Sequence, residues 1–325
     1  MAPGPSNTWH GRVTDLQVRK MRFGFAEHGV PFLWNRSDPA FSCATNALSL
    51  FFLAIEKMIA ATVTEAMPLI TDPQIAAEAD AFVRQEGQHS MAHRAHAKGL
   101  IKSHPALKDT LDAALATYSD LVITTSLQYR LAYIADLEAT FTPTFTMLLD
   151  NADTLFAPGD DNVASLFLWH FVEEIEHRSS ALIIYDEVVA NRWYRTRVAP
   201  SVFTHATAAL VGIAEDFNKH IPLEVRAVDA RSMFGGLAWR KALGRKLPRL
   251  RKLSLFNITD EGPIAKRYPH VPQREQIAAA LGVLRSQLPG HNPAHQKIPT
   301  FVDDWLTRYA AGQDVSQWYR SHRQR

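Results

Sequence analysis

The chain has 325 residues, 46% of them hydrophobic, and a formal net charge of +2 at neutral pH. That is enough apolar content to bury a substantial core in one or two domains, while the near-neutral balance and the lack of any DNA or RNA motif give no reason to expect a nucleic-acid partner. One cysteine, Cys43, excludes an internal disulfide framework, and Met1-Ala2-Pro3-Gly4-Pro5-Ser6-Asn7 has no secretory pattern, so the expected setting is cytoplasmic.

Residues 1–42 carry Pro, Gly and mixed charge without a sustained period and read as an irregular arm, with short strands around Arg12 to Val18. A first helix is expected from Ala44 to Met67. Its apolar stretch Ala47 to Val63 is interrupted by Glu56 and Lys57, which argues for a buried helix rather than a membrane span. Asp72-Pro73, an N-cap followed by proline at the first helical position, opens a second helix that runs to Lys102. A third starts after His104-Pro105 and extends toward Leu149, kinked at Pro143. A loop, Asn151 to Asp161, leads to a fourth helix from Asn162 to about Asn191, and Pro200 opens a fifth over Ser201 to Asn218. From Arg226 the composition turns basic. Trp239 to Leu253 holds Arg240, Lys241, Arg245, Lys246, Arg249, Arg251 and Lys252 and no acidic residue, interleaved with Trp239, Leu243, Leu247, Leu250 and Leu253. That pattern suits an anionic membrane surface, or equally a cover on the rest of the protein whose cations face water. Pro248 divides it into two pieces. Short helices are expected at Gln273 to Gln287 and Pro299 to Ala311.

Two stretches within this order are built alike. Glu56 is followed by Glu86-Gly87-Gln88-His89, and Glu138 by Glu174-Ile175-Glu176-His177. On a helix i and i+3 share a face, so each Glu-x-x-His turn points a carboxylate and an imidazole the same way. Glu56 lies 14 residues before Ile70 and Glu86 lies 14 after Asp72, while Glu138 and Glu174 lie 12 residues from Asp150 and Asn162. At 1.5 Å per residue the members of each pair stand level, about 18–21 Å from their connection, in an antiparallel hairpin. Glu56, Glu86, His89, Glu138, Glu174 and His177 make the ligand set of a di-iron or di-manganese carboxylate centre in a four-helix bundle. The bland alternative is a set of solvated charges on helix faces.

The residues Phe82-Val83-Arg84-Gln85-Glu86-Gly87-Gln88-His89 with His93 and His96, then Leu168-Trp169-His170-Phe171-Val172-Glu173-Glu174-Ile175-Glu176-His177-Arg178, resemble the two signature blocks of a bacterial family catalogued as predicted metal-dependent hydrolases. That family is similar to the wider ferritin-like di-iron superfamily, and the resemblance covers roughly residues 31–185. It implies an all-α, ferritin-like four-helix bundle, expected over residues 43–222; composition places the arm 1–42 before it and a basic helical extension, 223–325, packed on it. Phe52-Leu53-Ala54-Ile55-Glu56-Lys57-Met58 departs from the family pattern, which has a proline and a glycine before the glutamate and aromatics after it.

A carboxylate-rich set favours two iron or manganese ions over zinc. A mononuclear zinc site on His89-x-x-x-His93 is the rival, and it lacks the glutamate that zincins place after the first histidine. His93 and His170 fall on the ligand stripes and stand as added ligands, proton carriers or hydrogen-bonded neighbours, with His96 at the periphery. Either Glu173 or Glu176 is placed to pair with Arg178. Three functions are open: an O₂-dependent di-iron oxidase or oxygenase, favoured by fold analogy; a di-metal hydrolase; and a non-catalytic, ferroxidase-like metal binder. The aromatics on the ligand helices suit a small apolar substrate. A homodimer is left open, and nothing names an electron donor.

Overall fold

The computed structural model describes residues 16–323 apart from 254–255, 257–258 and 260, and among these it is all-α, with fourteen helices and no strand. The helices are α1 (Phe25–His28), α2 (Pro39–Ala66), α3 (Pro73–Ser103), α4 (Leu107–Thr124), α5 (Leu127–Asp150), α6 (Ala152–Leu155), α7 (Asp161–Glu176), α8 (Ser180–Val188), α9 (Arg192–His220), α10 (Leu223–Arg226), α11 (Leu237–Lys246), α12 (Gln273–Ser286), α13 (Thr300–Ala310) and α14 (Trp318–Arg323).

Local chemistry sets the ends of the helices that matter. Asp38 caps α2 by accepting from Phe41 N, and Asp72 caps α3 by accepting from Gln74 N and Ile75 N, each followed by proline at the first position. Such a cap is worth about 1 kcal/mol. Asp160 caps α7 through Asn162 N and Val163 N. The expected third helix is two helices, because Ser126 turns extended and caps α5 by accepting from Tyr129 N. Pro143 sits inside α5 without ending it. The expected fourth helix is also two: α7 stops at Glu176 with His177 as its C-cap, and the chain resumes as α8. The fifth begins at Arg192 rather than after Pro200, since Asn191 caps it by accepting from Tyr194 N, and Pro200 lies within it. The expected strands near Arg12 fall outside the described residues up to Asp15, and Leu16–Val18 are irregular.

Helix α2 lies at the centre, against α3, α4, α5 and α9, while α5 also packs on α7, α8, α9 and α12. Of the 28 residues of α2, 21 are buried. Among the described residues two helices have the length and hydropathy to cross a membrane, Pro39–Leu69 and Arg192–His220; 72% of the first one's apolar window is buried inside the protein, as befits a core helix. The arm before α2 is pinned by its side chains. Phe23, Phe25, Val30, Phe32 and Trp34 are buried, Trp34 Nε1 donates to Thr45 Oγ1 (2.7 Å), and Asn46 Nδ2 donates to Phe32 O (2.8 Å).

Trp34 also meets the loop that starts α7. Its carbonyl accepts from Asp160 N (2.8 Å), and a Cβ added to Gly159 would stand 2.4 Å from the indole ring. Because that ring is rigid and tethered, Gly159→Ala is expected to destabilise the protein by about 1–3 kcal/mol, read as a lower urea midpoint with an unchanged slope. A neutral result would mean the ring moves aside freely.

Candidate metal centre

Helices α2, α3, α5 and α7 each deliver a buried glutamate to one place: Glu56, Glu86, Glu138 and Glu174, all 1–3% exposed. His89, His170 and His177 join them, 0–1% exposed. His177 Nε2 lies 3.3 Å from Glu86 Oε1, 3.2 Å from Glu174 Oε2 and 3.7 Å from Glu138 Oε2. His89 Nδ1 lies 3.9 Å from both Glu86 Oε2 and Glu174 Oε1. His170 Nε2 faces Glu174 Oε1 at 2.7 Å and Glu56 Oε1 at 4.0 Å. Donor atoms close enough to share an ion group as Glu86, Glu138, Glu174 and His177; as Glu56, Glu86 and His89; as His89, His170 and Glu174; and as Glu56, His93 and His170. All six residues expected from the sequence are brought together, and no group among the described residues unites His89 with His93, as the zinc rival requires.

Burial without partners is the feature that tests whether metal ions fit. Both oxygens of Glu56, Glu86 Oε1, His89 Nδ1, Glu174 Oε2 and His177 Nε2 are buried and form no hydrogen bond among the described residues. Such atoms are costly to hide, and here they belong to the inward ends of the converging side chains. The charges say the same. Burial, then repulsion from Glu86 and Glu174, pushes Glu56 well above the usual carboxylate range. Burial and the carboxylates of Glu174 and Glu86 push Glu138 up likewise. For Glu174 burial acts upward, but the imidazoles of His177 and His170 outweigh it and hold the group well below its ordinary value. Burial opposes charge on His89 and His177, yet neighbouring carboxylates raise both. His170, governed by burial and by His89, falls to about 4. Oxygen-rich donors with a few imidazoles and surplus negative charge fit divalent cations.

The outward nitrogens are occupied. His89 Nε2–H donates to Glu173 Oε2 (2.9 Å), and His177 Nδ1–H donates to Gln85 Oε1 (3.0 Å). Each bond fixes the tautomer that leaves the inward nitrogen bare. The two braces cross, because Gln85 on α3 holds the histidine at the end of α7 and Glu173 on α7 holds the histidine on α3. Both are backed by the arm: Gln85 Nε2 donates to Gln17 O (3.0 Å), and Arg19 Nη1 donates to Glu173 Oε1 (2.9 Å). Arg19 also pairs with Glu176 (2.5 and 2.9 Å) and lies over the rings of Trp305 and Tyr309 in α13. The expected pairing of Glu173 or Glu176 with Arg178 is therefore corrected. Arg178 instead donates to Ile175 O and Pro293 O.

His93 is hydrogen-bonded as well as close to the donors. Its Nε2 is 2.6 Å from His170 Nδ1, its Nδ1 is 2.8 Å from Ser49 Oγ, and Ser49 Oγ is 2.9 Å from His96 Nδ1. His96, expected at the periphery, is fully buried, against the edge of Phe25. Gln17, Arg19, Ser49 and Gln85 were not singled out from the sequence. One signal was present: both Glu-x-x-His turns carry a second amide or carboxylate directly before the glutamate, Gln85 and Glu173.

A sequence model of the family described as predicted metal-dependent hydrolase matches residues 17–255. No curated protein and no solved structure matches.

Replacing a brace should loosen metal binding without touching a donor. Glu173→Leu and Gln85→Leu are each expected to weaken metal affinity about 10–100-fold, measured by competition with a chelator. Glu173→Gln, which keeps an acceptor for His89 Nε2–H, should lose less than Glu173→Leu. Equal losses would show that tautomer control is not what Glu173 supplies.

Proposed function

The chain belongs to the family of predicted metal-dependent hydrolases, and from that premise we propose a two-metal enzyme that hydrolyses a small apolar organic substrate. The observation that carries the reading is the convergence, from four helices, of buried donor atoms that form no hydrogen bond. Glu56, Glu86, His89, Glu138, His170, Glu174 and His177 would hold the ions. When bound, two divalent ions supply Lewis acidity and make water nucleophilic near neutral pH.

The chain's own residues prepare that chemistry. Glu173 and Gln85 aim His89 and His177 inward. Phe52 packs its ring 4.4 Å from that of His170, and Phe141, Phe145 and Phe171 stack in a row beside it, which keeps bulk water away and strengthens every charge interaction inside. His93 and Ser49 give the outer nitrogen of His170 a hydrogen-bonded exit, so a proton arriving at that ring has a polar neighbour away from the carboxylates.

A second reading, O₂-dependent oxidation at two iron or manganese ions in a ferritin-like setting, is favoured by one observation. Four carboxylates stand among the donors, and the single cysteine, Cys43, is in no donor group. Such a donor set suits iron and manganese better than zinc.

Two measurements check the proposal. Protein purified without added metal should hold close to two ions per chain, and Glu138→Ala should lose at least one; one ion per chain, unaffected by that change, would sink the dinuclear reading. The metal-loaded protein should cleave ester or amide substrates without air, and its reduced iron form should be inert to O₂. Rapid O₂ consumption with new near-ultraviolet absorption, and no anaerobic cleavage, would replace hydrolysis by oxidation.

Removing the ions should also expose the electrostatic cost. Glu56, Glu138, His89 and His177 all have raised values in the folded chain. A folded state that binds protons more tightly than the unfolded one loses stability as pH rises. Chelator-stripped protein is therefore expected to melt at falling temperature as pH climbs above the ordinary histidine value of 6.5, and the loaded protein to melt higher throughout. A stripped form that gains stability with pH would contradict this balance.

A further inference from the structure

We propose that residues 237–253 dock the protein on an anionic lipid surface. The segment comprises α11 and a 3-10 turn, Pro248–Lys252, and it separates its residues by face. Leu237, Arg240 and Gly244 are buried. Arg240 Nη2 donates to Gly235 O (3.1 Å) and Arg231 O (3.4 Å), which removes this cation from the outer set. Gly244 lies so close to the chain that a Cβ would stand 2.7 Å from Phe256 O. The inner face is thus committed to the protein.

The outer face is not. Trp239, Leu247 and Leu253 are 63%, 52% and 56% exposed. Around them Lys246, Arg249, Arg251 and Lys252 are exposed and form no ion pair among the described residues. Residues 237–253 contain no acidic side chain. In a chain of net charge +2, such a local excess makes this face distinctly cationic and complementary to an anionic surface. Nucleic acid would satisfy the cations but give Leu247 and Leu253 nothing, whereas a lipid surface meets phosphate with lysine and arginine and receives leucine and an indole at the headgroup level. The exposed row Ile277, Leu281, Leu284 on α12 is a contrasting surface, apolar with fewer cations. The docking face carries none of the metal donors, so this inference stands or falls separately from the reaction.

Flotation of the full-length protein with phosphatidylcholine vesicles, with and without phosphatidylglycerol, tests it. Binding should require the anionic lipid and weaken as salt rises. One basic residue near such a surface is worth about a factor of five, so Lys246→Gln with Arg249→Gln should weaken binding roughly thirtyfold. Trp239→Ser should weaken it further, with circular dichroism and metal content unchanged. The proposal is overturned if the protein ignores anionic vesicles at low salt, or if the double substitution leaves binding intact. It also fails if binding is lost instead on Leu281→Ser with Leu284→Ser, or if duplex DNA binds as tightly and is indifferent to Trp239→Ser.

Discussion

Four glutamates inside one apolar core set the terms for everything around them. An ionised carboxylate taken from water costs several kcal/mol unless opposite charge and hydrogen bonds offset it, and Glu56, Glu86, Glu138 and Glu174 lie close enough to raise one another's cost. The remedies visible in the chain are partial. Imidazoles stabilise Glu174, while neither oxygen of Glu56 receives a hydrogen bond. A protein that needed only stability would replace this cluster with packed hydrocarbon. Retaining it makes sense if divalent charge completes the balance.

The crossed braces turn two helices into one device. A rotation of α3 that moved Glu86 would drag Gln85 off His177, and a rotation of α7 that moved Glu174 would drag Glu173 off His89. The braces differ in charge. His89 leans on a carboxylate that itself needs Arg19, and His177 leans on a neutral amide that needs only a backbone carbonyl. A carboxylate partner makes a ligating imidazole the stronger donor, so the two ends of the proposed centre are inequivalent even though their primary motifs match.

The order of helices and the identity of the converging side chains were legible because both rest on short-range rules: aspartate caps before proline, and the i, i+3 spacing of Glu-x-x-His. Level counting from the turns succeeded for the same reason, since rise per residue is fixed. Breaks inside the longer helices were less legible. Ser126 caps α5 directly after Thr124 and Thr125, weak helix formers that a single long helix passed over, and His177 ends α7 while still facing the carboxylates, so its placement survived an error in the helix boundary. Pro200 was over-read, because Asn191 starts α9 earlier and the helix carries the proline within it. The outer shell was not legible at all. Arg19 reaches Glu173 across 154 residues of sequence, and no periodicity encodes a contact of that range.

That long-range dependence extends past the family match, which ends at residue 255. Trp305 and Tyr309 flank the guanidinium of Arg19, so α13 helps to hold the residue that holds Glu173. Asp161 and Ser165, in the first turns of α7, accept from Tyr319 N, Arg320 N and Trp318 N at 2.8–2.9 Å. Helix α12 lies on α5, where Gln287 Nε2 donates to Asp136 O (3.1 Å) two residues from Glu138, and Gly282 allows close contact with Pro143. Three separate parts of the last seventy residues thus bear on α5, α7 and Arg19. Changes there would reach the carboxylates through helix position and brace geometry, although none of those residues is itself a donor. The segment beyond residue 255 can therefore adjust how tightly, and how accessibly, the donor set is held without changing a donor.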